Sequence, residues 1–279
     1  MMNDAQHKTS KFLFSIAIAL MLALIATGAF AKPSAQLLAK AEEGDAQAQY
    51  ELGEMYYFGE KGTEVNGTQA AHWYLKAAEQ GHAQAQYSLA VLYNDGELVH
   101  ADMKKALYWY GQAAQQGHSG AMTNIGSIFT IGQLAGVVED VHRAAYWYEK
   151  AHALNNPYAT YFLAALKWSD RLGASDKETA WTLYEHAASQ GLEEAHYALF
   201  IFTYELFYAD GKKTAEDLFY WAQVNRHKNE DFINLFSEQL DTLPLNAEQR
   251  QEITAKANTY YAQADQRWQA LLKETVPNK

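Results

Sequence analysis

Small and large apolar side chains follow a helical spacing along the chain, and the pattern itself repeats about every 36 residues. An aromatic or apolar anchor returns at steps of 36 or 38 residues, at Trp73 and Tyr74, Trp109 and Tyr110, Trp147 and Tyr148, Leu183 and Tyr184, and Trp221. Alanine usually lies three residues before and four residues after the anchor, which places small side chains on one helical face. The period predicts five copies of this helix.

Each unit also has a helix before the anchor helix. Alanine stands at Ala48, Ala85, Ala121, Ala159 and Ala195, and a large aliphatic residue follows four positions later at Leu52, Leu89, Ile125, Leu163 and Leu199. A small residue one turn before a large one lets a neighbouring helix approach closely. Side chains that can cap the anchor helix precede it at Asn66, Asp102, Asp140, Asp176 and Thr214. The pattern therefore predicts helix-turn-helix units.

These units resemble the Sel-1-like repeats, which are related to tetratricopeptide repeats. The second unit carries the pattern at Ala85, Leu89, Ala90, Tyr93, Gly96, Asp102, Ala106, Trp109, Tyr110, Ala113, Ala114 and Gly117. The resemblance covers roughly residues 41–225 and weakens late in the chain. Lys167 and Thr203 replace the first-helix aromatic residue, His152 replaces a small residue, and Asn225 and Arg226 end the fifth unit. The resemblance implies an all-α fold, an α/α superhelical solenoid of about five repeats closed by capping helices.

The predicted organisation has eight segments. They are a signal peptide at 1–31, an N-terminal capping half-repeat at 32–44, repeats at 45–81, 82–117, 118–155 and 156–191, a degenerate fifth repeat at 192–227, and C-terminal capping helices at 228–279. Glycines at Gly44, Gly81, Gly117 and Gly191 suit the left-handed exit from the preceding helix.

The first 31 residues have the three parts of a secretory signal. Lys8 and Lys11 precede an apolar run over residues 12–31, which ends with the small residues Ala29 and Ala31. We expect cleavage after Ala31 and a periplasmic or secreted protein that is not embedded in the membrane after cleavage. The alternative is an uncleaved N-terminal helix that anchors the chain.

The C-terminal segment predicts helices that end the repeat array. Phe232, Leu235, Phe236 and Leu240 follow a helical spacing, and Asn246 with Gln249 forms a capping-box signature before a long helix that extends to about Leu272. The apolar stripe of this long helix consists of Ile253, Ala257, Tyr260, Tyr261, Ala264, Trp268 and Leu272. The stripe either covers the last repeat or, since it is narrow, pairs with a partner or a second copy of the chain.

Composition narrows the classes of function. The 279 residues include 33 acidic and 22 basic ones, for a net charge of −11, which argues against nucleic-acid binding. The chain has no cysteine, so disulfides and thiolate metal sites are excluded. His82 and His118 occupy equivalent positions one repeat apart, too far apart to bind one ion, and they are interpreted as helix-start residues. Known hydrolase and phosphate-binding motifs are missing, so the sequence predicts no enzyme, cofactor or metal site.

The first helices of the repeats carry the candidate partner-binding residues. On a helical wheel these positions point away from the packed face, towards the expected concave surface of the solenoid. The candidates are Tyr50, Glu54, Tyr57, Tyr87, Thr123, Tyr161, Trp168, Tyr197 and Tyr204. Tyr and Trp supply amphipathic contact area at low entropic cost. The alternative is that these aromatic residues only pack between units.

The resemblance implies an exported, non-catalytic scaffold that binds a protein or peptide in the cell envelope. Two alternatives remain open at this stage. One is an envelope enzyme that acts on peptidoglycan or β-lactams through carboxylates that the sequence does not single out. The other is a structural protein that self-associates through the C-terminal helix.

Overall fold

The computed structural model describes residues 33–60, 63–132, 137–211 and 213–275, and the predicted signal peptide lies outside them. These ranges form fourteen α-helices and no β-strand, which confirms the all-α fold class. None of the helices in these ranges is both long and apolar enough to cross a bilayer. The helices belong to two compact units, unit 1 ending at His118 and unit 2 beginning at Ser119.

Unit 1 contains a short leading helix and two helix pairs. The helices are α1 (Ala35–Glu42), α2 (Ala46–Phe58), α3 (Gly67–Glu79), α4 (Ala83–Asp95) and α5 (Met103–Gln115). Helix α1 packs on α2, α2 pairs with α3, and α4 pairs with α5. Helix α1 lies in the segment predicted to be a capping half-repeat.

Unit 2 contains three helix pairs followed by three further helices. The pairs are α6 (Ser119–Ile131) with α7 (Val141–His152), α8 (Pro157–Trp168) with α9 (Lys177–Ser189), and α10 (Glu193–Asp210) with α11 (Ala215–Arg226). The chain continues as α12 (Glu230–Asn234), α13 (Ser237–Asp241) and α14 (Ala247–Thr275). The region predicted from one helical spacing over 232–240 is thus two short helices, and the break leaves Leu235 75% exposed while Phe236 packs against Phe200.

The predicted caps explain where the second helix of each pair begins. All five cap side chains accept a hydrogen bond from the backbone N–H three residues later, and these residues are Asn66, Asp102, Asp140, Asp176 and Thr214. The four predicted glycines at the helix ends have φ between +85° and +102°. The corresponding position before α8 is Asn155 (φ +57°), a residue type that tolerates this conformation.

The tyrosine of each anchor pair forms the centre of its repeat. Tyr74, Tyr110, Tyr148 and Tyr184 are buried. Gly53 lies so close to Tyr74 that a Cβ at this position would overlap the ring, and Gly126 lies equally close to Tyr148. The small residue that follows each large aliphatic residue in the first helix therefore lets the paired helix approach closely.

The C-terminal helix α14 packs against the last helices of the array. This is the arrangement in which its apolar stripe covers the last predicted repeat. Asn246 and Gln249 form the predicted reciprocal capping box, with both bonds at 2.9 Å. Helix α14 packs on α11 and α9, and its stripe residues Ile253, Ala257 and Ala264 are buried there. Three of the seven stripe residues are therefore buried against unit 2, whereas Leu272 at the other end of the stripe is 38% exposed.

Candidate functional site

The structure brings the candidate residues together in two grooves, one in each unit. Four of the nine candidates line the groove of unit 1, namely Tyr50, Glu54, Tyr57 and Tyr87. Two more, Tyr161 and Tyr197, line the groove of unit 2. Thr123, Trp168 and Tyr204 line neither groove.

The unit 1 groove has a volume of about 300 Å³ and lies between the first helices of two successive repeats, α2 and α4. Its wall is completed by Phe58, Tyr74, Gln84, Ser88 and Val91. The Tyr74 hydroxyl donates a 2.5 Å hydrogen bond to Glu54 Oε1. Burial and, secondarily, the charge of Glu54 raise the pKa of Tyr50 and of Tyr74. Both phenols are therefore neutral hydrogen-bonding groups at physiological pH.

His82 and His118 hold groove tyrosines in place. The His82 ring stacks on Tyr50 at 5.0 Å between centroids, and the His118 ring stacks on Tyr87 at 4.3 Å. His82 Nδ1 accepts the Ala85 N–H as an N-cap, so its Nε2 carries the proton and donates to a glutamine of the preceding repeat. Burial lowers the pKa of both histidines, which favours their neutral form. The predicted role as a helix-start residue is confirmed for His82.

The unit 2 groove is larger, with a volume of about 510 Å³. Its walls come from the starts of α8 and α10, from the end of α11 and the segment that follows it, and from α14. The lining residues are Tyr158, Tyr161, Glu193, Glu194, Tyr197, Asn225, Lys228, Asn229 and Trp268. Tyr158 and Trp268 meet edge to face at 6.0 Å between ring centroids, and Lys228 Nζ lies 2.9 Å from Glu193 Oε1.

Three candidates lie outside both grooves, and their side chains make packing contacts or hydrogen bonds within the fold. Thr123 is 6% exposed, and its hydroxyl donates to the Ser119 carbonyl within its own helix. Trp168 stacks on Phe202 at 3.8 Å between centroids, since the long helix α10 places an aromatic residue beside the end of α8. Tyr204 packs against Phe236 as part of the hydrophobic core of unit 2. For these three positions the packing alternative is the one that the structure supports.

Tyr158, Glu194 and Trp268 line the unit 2 groove but are not among the residues predicted from the sequence. Tyr158 and Glu194 stand at the repeat position of Gln84, which lines the unit 1 groove, so the repeat register contained a signal for both. Trp268 was assigned only to the apolar stripe of α14. Its place in the groove depends on a contact with Tyr158, more than a hundred residues away in sequence.

The histidines and carboxylates outside the grooves are the other candidate groups. No group of three or more His, Asp or Glu residues in the described parts of either unit is arranged to hold a metal ion. The carboxylates of Asp102 and Asp176 are engaged as helix caps, and their hydrogen bonds to backbone N–H groups and neighbouring side chains lower their pKa. The aromatic grooves are therefore the strongest candidate sites.

Comparison with known proteins identifies relatives of the fold. The family model described as Sel1 repeat matches four consecutive segments, 46–82, 83–118, 119–156 and 157–192, which together span just over half of the chain. It does not extend to the α10–α11 pair, so the fifth repeat stays a prediction. Among curated proteins, none matches the chain at a significant level.

Two solved structures resemble the chain over most of its length. One is a protective antigen present in uropathogenic Escherichia coli strains that displays an SLR fold, with 26% identity, a TM-score of 0.69 and coverage of 87% of this chain. The chain spans about half of that protein, 51% of its length. The other is a Sel1 repeat protein from Oxalobacter formigenes, with 20% identity, a TM-score of 0.62 and coverage of 85% of this chain and 96% of the other.

Proposed function

Because the chain belongs to the Sel1 repeat family, we propose that it is a non-catalytic scaffold that binds a protein or peptide partner through the unit 1 and unit 2 grooves. Repeat folds of this kind present extended surfaces to their ligands. The observation that carries the proposal is that each unit has a groove built from the first helices of successive repeats and lined by tyrosines beside carboxylates.

The chemistry of the grooves suits recognition of a polypeptide. Tyrosine combines a large apolar face with a hydroxyl that donates or accepts hydrogen bonds, and it has only two side-chain torsions to immobilise. Tyr158 and Tyr197 expose 42% and 41% of their surface in the unit 2 groove, although their rings are large and apolar. Contact area of this kind is gained when a partner covers the rings.

The proposed location of the partner is the cell envelope. The basic start, the apolar run and the small residues before position 32 support export, with a periplasmic or secreted protein as the product. Retention of the apolar segment as a membrane anchor is the alternative.

The groove tyrosines do not favour proton transfer. Burial raises the pKa of Tyr50, Tyr57 and Tyr161, so these phenols stay protonated near neutral pH and are weaker acids than a free tyrosine. Turnover of nitrocefin or peptidoglycan by the purified chain, lost on substitution of a single carboxylate, would overturn the proposal in favour of an envelope enzyme.

The test is capture of the partner in the cells that produce the protein. Wild type, Tyr87→Ala and Tyr161→Ala are cross-linked in living cells, and the captured chains are identified. Tyr146→Ala is the control, because Tyr146 is exposed but lies on a second helix, outside both grooves. We expect a reproducible partner whose yield falls in the two groove variants only. Unchanged capture by the groove variants, or a loss that merely follows a large fall in their melting temperature, would contradict the proposal.

A further inference from the structure

The unit 2 groove has aromatic walls of the kind that stack on a flat cation. Tyr158 and Trp268 form one corner, and Tyr161 and Tyr197 complete the aromatic lining. Trp and Tyr faces attract cations within about 6 Å of the ring centroid, and a guanidinium also stacks on them as a plane. An aromatic enclosure of this kind is typical of a site for a cationic side chain.

Asn225 adds a hydrogen-bond acceptor to the same groove. The residue is 6% exposed, and its Nδ2 donates to two backbone carbonyls, that of His196 at 2.8 Å and that of Trp221 at 2.9 Å. Both acceptors require a donor, so the orientation of the amide is fixed. The Oδ1 atom is left as the acceptor, and no residue in the described ranges donates a hydrogen bond to it. A nearly buried residue therefore offers the groove an unused acceptor.

One carboxylate in the groove is left without a counter-ion. Glu193 pairs with Lys228, and this pair is close to neutral. The side chain of Glu194 makes no ion pair or hydrogen bond within the described parts of the chain. Burial raises the pKa of Tyr158 and Tyr161, and the charge of Glu194 raises both further. The uncompensated charge that faces these two rings is negative.

We infer that the unit 2 groove is a pocket for an arginine side chain of the partner polypeptide, an inference that rests on the proposed function. The planar guanidinium stacks on an aromatic face of the groove, and its N–H groups donate to Glu194 and to Asn225 Oδ1. A lysine ammonium has no plane to stack, and a quaternary ammonium has no N–H to donate to the acceptors. Arginine alone matches the walls, the acceptors and the charge.

Glu194 also lies in the first turn of α10, where a carboxylate stabilises the positive end of the helix dipole. A matched control separates this role from binding. Glu178 lies in the first turn of α9 and does not line the groove. Glu178→Gln removes the same helix-end interaction while it leaves the groove unchanged.

The test measures binding of small probes to the purified full-length chain by NMR with ¹³C-labelled tyrosine rings. The probes are N-acetyl-arginine methylamide, its neutral citrulline analogue, N-acetyl-lysine methylamide and tetramethylammonium. We expect the arginine probe to shift the Tyr158 and Tyr197 signals and to bind at least tenfold more tightly than the citrulline analogue, with the other cations weaker than arginine. Glu194→Gln should weaken arginine binding about tenfold, whereas Glu178→Gln should leave it unchanged.

Tyr158→Leu serves as a second variant that keeps an apolar side chain but removes the π face at an exposed site, and it should also weaken arginine binding severalfold. Equal affinity for arginine and citrulline, or an equal effect of Glu178→Gln and Glu194→Gln, would overturn the inference. Tighter binding of lysine or tetramethylammonium than of arginine would do the same. These outcomes are distinct from failure of the proposed function, because the inference can fail while the in-cell partner is still captured through groove residues.

Discussion

Replacement of Gly191 by alanine tests whether α14 is the cover of the last repeat. Gly191 follows α9 with φ +91°, and a Cβ there would lie 2.5 Å from the Ala264 carbonyl oxygen and 2.5 Å from Trp268 Cβ. Both neighbours belong to α14, and one of them is backbone. Alanine can therefore be accommodated only if α14 moves away from α9.

The expected cost has two parts. A non-glycine residue in the left-handed region costs about 1–2 kcal/mol, and forcing extra volume into a packed contact costs about 1–3 kcal/mol. Gly117→Ala is the matched control, since Gly117 occupies the same repeat position after a second helix with a similar φ of +85°, but a Cβ there has no atom within 4 Å. Gly191→Ala should thus lower the free energy of unfolding by about 1–3 kcal/mol more than Gly117→Ala.

The assay is urea denaturation followed by tryptophan fluorescence, with both variants and wild type analysed with a common slope. The informative quantity is the difference between the two variants, because the backbone cost of leaving glycine is common to both. Equal destabilisation by the two substitutions would refute the packing of α14 against the end of α9 and would favour a C-terminal helix that protrudes from the repeat array.

Two further predictions concern stability. Burial lowers the pKa of His196 to about 4 in the folded chain, whereas the same group in the unfolded chain has a pKa near 6.5. Because the unfolded chain binds this proton first as the pH falls, the free energy of unfolding should decrease by about 3 kcal/mol between pH 6.5 and 4. His196→Gln introduces the residue found at the equivalent positions Gln49 and Gln86. The urea midpoint of this variant should depend less on pH between 6.5 and 4 than the wild-type midpoint, and an equal pH dependence would contradict the role of His196. Asn156 caps α8 and also donates to Ser119 Oγ, so Asn156→Ala should lower the free energy of unfolding in urea by about 1–2 kcal/mol, and no loss would argue against that cap.

Much of the fold could be predicted because it depends on local pattern. The caps at Asp102 and Asp140 and the left-handed glycine at Gly81 act within one turn of the chain, so residue type at a fixed spacing identifies them. The repeat period then identifies the equivalent positions in successive repeats. The break near Leu235 was not predicted, since helical spacing alone does not show where a helix ends.

The site was predicted less completely because a helical wheel shows which way a side chain points from its helix but not which residues it contacts. Tyr57 and Trp168 share one repeat position, yet Tyr57 lines a groove while Trp168 is covered by Phe202. Glu194 resembles an ordinary first-turn acid, and only the fold shows that it faces Tyr158 across the unit 2 groove. Contacts between residues distant in sequence decide these cases.

Site-specific photo-cross-linking in living cells tests the proposed function most directly. A photoreactive phenylalanine is placed at the groove positions Tyr87 and Tyr197 and, for comparison, at Tyr108 and Tyr146, which are 58% and 52% exposed on second helices. If the grooves bind the partner, the same polypeptide will be cross-linked from Tyr87 and Tyr197 and not from the two comparison positions. Cross-links that form only from Tyr108 and Tyr146, or none from either groove, would contradict the proposal that this chain is a scaffold that binds its partner through the grooves of its repeats.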